Sequence, residues 1–303
     1  MIKRTLYFGN PAYLSLKDQQ LVVKLKEDEV KTVPIEDVGY VVLDNRQITI
    51  TQGAMSQLLE NNCAVVTCDS KHLPTGLILP LAGNSVQRER FQAQIEASLP
   101  LKKQLWQQTV QQKILNQACV LKLKYGLETG NMDAWAKSVR SGDPDNREAV
   151  AAAYYWKEMF PDIQGFIRDR EGVPPNNLLN YGYAILRAIV ARALVCSGLL
   201  PTLGIFHHNR YNAYCLADDI MEPYRPIVDE LVLDIVDELG EYPADLDKDV
   251  KVRLLQIPVL DVLIDGVRSP LMNAVSTTTA SLAKCFMGVT KKILYPEVLD
   301  EKI

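Results

Sequence analysis

The sequence predicts an α+β protein: a small N-terminal β-rich domain over residues 1–84, then a larger all-α domain over residues 85–303. Three observations carry this. Over the first eighty residues, short runs rich in Val, Ile, Thr and Tyr alternate with turn residues, as strands do. From residue 86 apolar residues recur at steps of three and four, the period of a helix face. Between the two, "PLAGNS" (80–85) places Pro, Gly and Asn where neither pattern continues.

In order along the chain, "RTLYFGN", "AYLSLKDQQLVVKL", "TVPIEDVGYVVLD" and "QITIT" read as strands. "GAMSQLLENN" is a short helix, "CAVVTC" an apolar strand, and "DSKHLPTGLILPL" closes the domain with one more strand. No cluster of catalytic residue types falls within it. Ser85 can cap the helix "VQRERFQAQIEAS", and after Pro100 a long amphipathic pattern runs through "LKKQLWQQTVQQKILNQACVLKLKYG". Helical spacing continues over 145–160, 176–198, 219–240 and 271–287, without an internal repeat.

With 48% hydrophobic and 23% charged residues, the 303-residue chain can bury a full core. A net charge of −4 excludes a uniformly basic nucleic-acid binder but leaves room for local basic faces. Residues 86–125 and 251–292 gather such charge, while 218–249 is acidic. The six cysteines form no CxxC pair, so reduced thiols are expected rather than a disulfide framework or thiolate metal site. The N-terminus lacks the apolar core of a signal peptide. The most apolar segment, 178–200, carries Arg187 and Arg192, which disfavour a membrane span. The cytoplasm is the expected compartment, with no membrane partner.

The chemistry-bearing stretch is "GIFHHNRYNAYCLADDIMEPYRP", residues 204–226, with His207 and His208 ahead of Asp218, Asp219 and Glu222. If a helix begins at 219, Asp219 and Glu222 share one face and Pro223 is tolerated in the first turn. Spacing alone leaves two readings open: acids capping a helix, or carboxylates and an imidazole binding a metal. Two carboxylates with one imidazole suit Mg²⁺ or Mn²⁺ better than a structural zinc. "SGDPDNREAVAAAYYWKEMFPDI" offers a further acid: Glu148, in the first turn of a helix capped by Asn146 or Asp145 and lined with small alanines. Glu148 can equally be a plain N-terminal helix acid.

"GNMDAWAKSVRSGDPDNREAVAAAYYW", "NNLLNYGYAILRAIVARALVCSGLLPTLGIFHHN" and "LADDIMEPYRP" resemble the integrase subunit of CRISPR spacer acquisition, the larger catalytic member of the adaptation pair. "LNYGYAILR", "DIMEPYRP" and "SPLMNAVSTTTASLAKCF" are similar to the type II variant. The resemblance implies a metal site of Glu148, His207 and Glu222, where many relatives have Asp in place of the last, with Asp219 a second acid close by. It implies Mg²⁺ or Mn²⁺ and a transesterification in which a protospacer 3′-hydroxyl attacks a phosphodiester of CRISPR leader–repeat DNA. It further implies a homodimer through the β domain, two dimers bracketing a dimer of a small ferredoxin-like subunit, and, in type II systems, the effector nuclease and an accessory adaptation protein. A general metal-dependent nuclease and a non-enzymatic DNA-binding assembly protein are the alternatives. As DNA contacts the residues offer Arg88, Arg90, Arg187, Arg210, Arg225, Lys284, Lys291 and Lys292, with Tyr183 either stacking on DNA ends or packing in the core.

Overall fold

A computed structural model describes residues 3–25, 29–70 and 72–299. The chain divides into two compact units, Met1–Gln87 and Arg88–Ile303. The first is built on two sheets. Strands β1 (Arg4–Phe8), β5 (Val38–Leu43) and β7 (Ala64–Cys68) run parallel, and β8 (Pro74–Ile78) pairs antiparallel to β7. The second sheet is ordered β4-β3-β2-β6. Here β2 (Tyr13–Lys17) and β3 (Gln20–Lys24) form a hairpin, β4 (Val30–Pro34) pairs with β3, and β6 (Thr49–Ile50) lies parallel to β2. The hairpin turns on Asp18 and Gln19, both left-handed at φ 49° and 59°. The segments read as single strands at 12–25 and 32–44 are thus each interrupted, by this turn and by a 3-10 turn at Ile35–Asp37. Helix α1 (Gln52–Glu60) is capped by the Thr51 hydroxyl. Leu14, Leu21, Val23, Val41, Leu58 and Val65 form the core between these elements.

The second unit is mostly helical. Helix α2 (Gln87–Ile95) precedes α3 (Leu99–Tyr125), which starts at a Ser98 cap with Pro100 in its first turn and ends on left-handed Gly126. Then follow α4 (Gly130–Ser138), α5 (Arg147–Met159), α6 (Asn176–Cys196), α7 (Cys215–Met221), α8 (Arg225–Leu239), α9 (Lys248–Leu254) and α10 (Leu271–Phe286). Sequence periodicity misses α4 and α9, of nine and seven residues, because so few turns barely establish a period. It also misses a three-stranded sheet of β9 (Asp261–Ile264), β10 (Val267–Pro270) and β11 (Pro296–Glu297), a departure from an all-α unit. These strands are four, four and two residues long, and Asp265–Gly266, both at positive φ, form the β9–β10 hairpin turn.

Helix α6 is the centre of this unit. It is long and apolar enough to cross a membrane, but 78% of its most apolar window is buried in the protein. Leu186, Ile189, Val190 and Leu194 are fully buried, each contributing about 1.5–3 kcal/mol. Gly182 lets α6 approach α8: a Cβ there would lie 2.6 Å from Val228 Cγ1. Helices α3 and α6–α8 together position the residues that follow.

Candidate functional site

The stretch 204–226 does not form one helix from 219. Helix α7 begins at Cys215 and ends at Met221, Glu222–Tyr224 make a 3-10 turn around Pro223, and α8 starts with Pro226 in its first turn. Asp219 therefore sits inside α7 and caps no helix. Its carboxylate instead reaches the loop after α6. Oδ2 accepts from the backbone N–H of Ile205 (2.7 Å) and Phe206 (2.9 Å), and Oδ1 from that of His207 (3.2 Å). Oδ1 also lies 2.5 Å from His207 Nδ1. The bond to Asp219 is the main cause that raises the His207 pKa, against the opposing effect of burial. With Nδ1 donating to a carboxylate, Nε2 is left as the coordinating or proton-accepting nitrogen. Gly204 makes this loop passable, since a Cβ there would collide with the His207 carbonyl. Trp106 of α3 stacks on Phe206 at 4.2 Å between centroids and meets the His207 ring edge-on at 5.6 Å.

Glu148 lies in the first turn of α5. The cap of α5 is neither Asn146, which is left-handed at φ 51° and makes no side-chain cap, nor Asp145, which pairs with Arg140. Asp143 does that work, its two oxygens accepting from the N–H groups of Arg147 (2.9 Å) and Glu148 (3.0 Å). Glu148 is thereby free of capping and points its carboxylate at α3.

Lys113 of α3 meets it there. Its ammonium lies 2.6 Å from Glu148 Oε1 and 2.6 Å from Glu222 Oε2. The Lys113 side chain is 12% exposed and that of Glu222 7%. Arg225 closes the other side of Glu222, Nε to Oε1 at 3.1 Å. Burial pushes the Glu222 carboxyl up, but Arg225 and Lys113 outweigh it and hold the pKa below the usual range. Burial likewise pushes Lys113 down, and Glu222 and Glu148 outweigh it and raise it. Asn116, one turn along α3, donates to the Pro223 carbonyl (2.7 Å) and the Pro296 carbonyl (3.0 Å), fixing α3 against the turn that carries Glu222.

The donor set fits a hard divalent cation. Two carboxylates from different elements converge on one cationic atom, and the Glu222 Oε2 on that atom is buried outside hydrogen-bonding geometry. The charges of both glutamates also help to raise the pKa of His207, after the larger effect of Asp219. Among the described residues no three His, Cys, Asp or Glu side chains close on a single point as they stand. The point where the glutamates converge carries the lysine.

The remaining sequence candidates separate into groups. Tyr183 is buried, its hydroxyl donating to Asp229 Oδ1 at 2.5 Å, and the Arg168 and Arg225 guanidinium groups lie over its ring at 5.0 and 4.6 Å. It packs in the core, where no base can stack on it. Arg187 is paired with Asp218 at 2.6 Å, and Arg90 donates to the Ser197 carbonyl. Arg88, Arg210, Lys284, Lys291 and Lys292 are exposed. Arg210 and His208 line a cavity of about 370 Å³ beside His207, together with Lys102. Sequence reasoning missed Lys113 and Asp229. Lys113 read as one more basic residue of α3; Asp229, buried between Tyr155 and Tyr183, read as part of an acidic helix.

The family described as CRISPR associated protein Cas1 matches residues 6–256. The CRISPR-associated endonuclease Cas1 of Neisseria meningitidis serogroup C (strain 8013) is 38% identical over 312 residues, covering 100% of this chain and 98% of that relative. Among solved structures, a casposase bound to integration product shares the fold at a TM-score of 0.74 and 19% identity, over 97% of this chain and 92% of the other. A Cas6-RT-Cas1–Cas2 complex matches at 0.74 and 20% identity, over 99% of this chain and 36% of the other. With one family matched across most of its length and a relative aligned from end to end, the chain belongs to the Cas1 family, the endonuclease and integrase family of CRISPR adaptation.

Proposed function

We propose that this Cas1 protein is a metal-dependent DNA integrase, inserting protospacer DNA into a CRISPR array by attack of a 3′-hydroxyl on a phosphodiester. The convergence of Glu148 and Glu222 from separate elements on one cationic position, beside an imidazole oriented by Asp219, carries the reading. Glu148, Glu222 and His207 Nε2 would hold Mg²⁺ or Mn²⁺. Bound there, such an ion polarises a phosphoryl oxygen and stabilises charge on the attacking or leaving oxygen. Asp219 fixes the His207 tautomer and holds its loop against α7. Arg225 keeps Glu222 ionised and oriented. Lys102 and Arg210, in the cavity next to His207, would supply positive charge for a phosphodiester, and the exposed Arg88, Lys284, Lys291 and Lys292 are proposed as further phosphate contacts. None of these steps needs a covalent nucleophile.

A Cas2-like subunit is proposed as a partner, supported by the similar fold found in a Cas6-RT-Cas1–Cas2 complex; a homodimer through the β-rich unit and, in type II systems, the effector nuclease and an accessory protein are proposed from the sequence resemblance. None of the described cysteines forms a disulfide, and three of them are buried, which suits the cytoplasm.

The test is joining of protospacer DNA to a repeat-bearing plasmid with Mn²⁺, run on Glu148→Gln, His207→Ala and Glu222→Gln. Each is expected to lower joining at least a hundredfold while retaining the wild-type circular dichroism spectrum. Full activity in all three rejects the site. Equal joining to repeat-bearing and scrambled plasmids would make the protein a general nuclease-type transferase instead.

A further inference from the structure

Two acids that must bind a divalent ion face a difficulty without it. Buried together they repel, and each would take up a proton rather than stay charged in a low dielectric. Here Glu222 is buried, yet two cationic groups outside the proposed ligand set close on its carboxylate, Lys113 Nζ at 2.6 Å from Oε2 and Arg225 Nε at 3.1 Å from Oε1. Only Lys113 reaches Glu148 as well. Lys113 spans the gap between Glu148 and Glu222 with equal 2.6 Å approaches, and is separated from them by 35 and 109 positions along the chain. Its placement is fixed rather than incidental, because Asn116 on the same face of α3 clamps the Pro223 carbonyl next to Glu222. An ion pair made only for stability would not need to stand between two carboxylates that have no other reason to converge.

We propose that Lys113 is the resident cation of this site: its ammonium holds Glu148 and Glu222 in place in the metal-free protein, and a divalent ion enters by displacing it. The proposal rests on the reading of those two glutamates as metal ligands. The charge balance supports it. Glu148, Glu222 and Asp219 contribute three negative charges against the two positive charges of Lys113 and Arg225. A divalent ion takes this net −1 to +1, the charge that one phosphodiester neutralises. Lys113 remains tethered to α3 beside the site after displacement, so the balance is kept without a second ion. It is a positioning residue: it acts on the substrate only through the ligands it arranges.

A purely structural lysine and a displaceable one give opposite outcomes on removal. Loss of a structural ion pair would loosen the glutamates and weaken metal binding. Loss of a competitor strengthens it. The experiment is Mn²⁺ titration by electron paramagnetic resonance on wild type, Lys113→Met, Lys113→Arg and Glu222→Gln, all without DNA. Lys113→Met is expected to bind Mn²⁺ at least tenfold more tightly than wild type, Lys113→Arg no more tightly, and Glu222→Gln to lose binding. Unchanged or weaker binding by Lys113→Met, with Glu222→Gln still defective, overturns the displacement while leaving the metal site standing. Absence of Mn²⁺ binding by wild type, or binding indifferent to Glu222→Gln, overturns the metal site and the displacement together. Should Lys113→Met fail to fold, amine acylation of wild type read by mass spectrometry decides the matter. Mn²⁺ is expected to raise modification of Lys113 at least threefold, and no change rejects the proposal.

Discussion

Asp219 accepts from three consecutive backbone N–H groups and from an imidazole, while its side chain is fully buried. Replacing it by Ala strips the acceptor from all of them, at a cost of at least about 3 kcal/mol. The loss is expected in chemical denaturation as well as in DNA joining. Asp229 makes a different case. Burial raises its pKa to about 7, against the lowering effect of the Tyr183 and Tyr155 hydroxyls and of Arg168 and Arg225. A carboxyl whose pKa is higher folded than unfolded contributes stability that is complete below the unfolded value of 3.8 and lost as pH rises through about 7. Between pH 5 and pH 8 wild type is therefore expected to lose thermal stability relative to Asp229→Asn, which has nothing to ionise. Parallel melting curves of the two would contradict the assignment.

At the scale of elements, the strand-rich segments of the first unit and the long helices α3, α5, α6, α8 and α10 were legible because their periods repeat several times, while the turns that split 12–25 and 32–44 were not. The site was legible only in part. Glu148, His207 and Glu222 stand in local motifs, but the groups that condition them do not. Lys113 meets its partners through packing of α3 against α5 and the 3-10 turn, and nothing near it in sequence marks it out from Lys102 or Lys122. The cap of α5 was misread because Asn146, though in the right place, takes a left-handed conformation and yields the donors to Asp143. Close helix approach is equally silent in sequence. Gly182→Ala would press a methyl onto Val228 and is expected to cost about 1–3 kcal/mol in denaturant unfolding, with integration reduced in proportion to the displacement of α8.

For the whole molecule, the two units differ in size and in content: the first, of parallel and antiparallel sheet, carries an Asp44–His72 pair at 2.8 Å, and the second holds every proposed ligand. At the end of the first unit, residues 79–86 lie outside any helix or strand, with Leu81 95% exposed and Val86 44% exposed. Thermolysin, which cuts ahead of such side chains, is expected to cleave there first under native conditions and to release fragments near the two unit masses. Early cleavage elsewhere would show that this segment is protected. The net charge of −4 ceases to be puzzling for a DNA-handling protein: much of the acidity is either gathered on residues 218–249 or consumed internally by Lys113, Arg187 and Arg225.

The stacked pair of Trp106 and Phe206 has an optical consequence. Of the three tryptophans, Trp106 alone among the described ring contacts touches a proposed metal-binding side chain, through the edge of His207. Its emission should therefore darken when a paramagnetic ion such as Mn²⁺ settles next to that imidazole and stay bright with diamagnetic Mg²⁺. Trp106→Phe preserves an aromatic face for Phe206 while removing the chromophore, which separates this signal from that of Trp135 and Trp156. The protein carries its own lamp beside the place where its chemistry is proposed to occur.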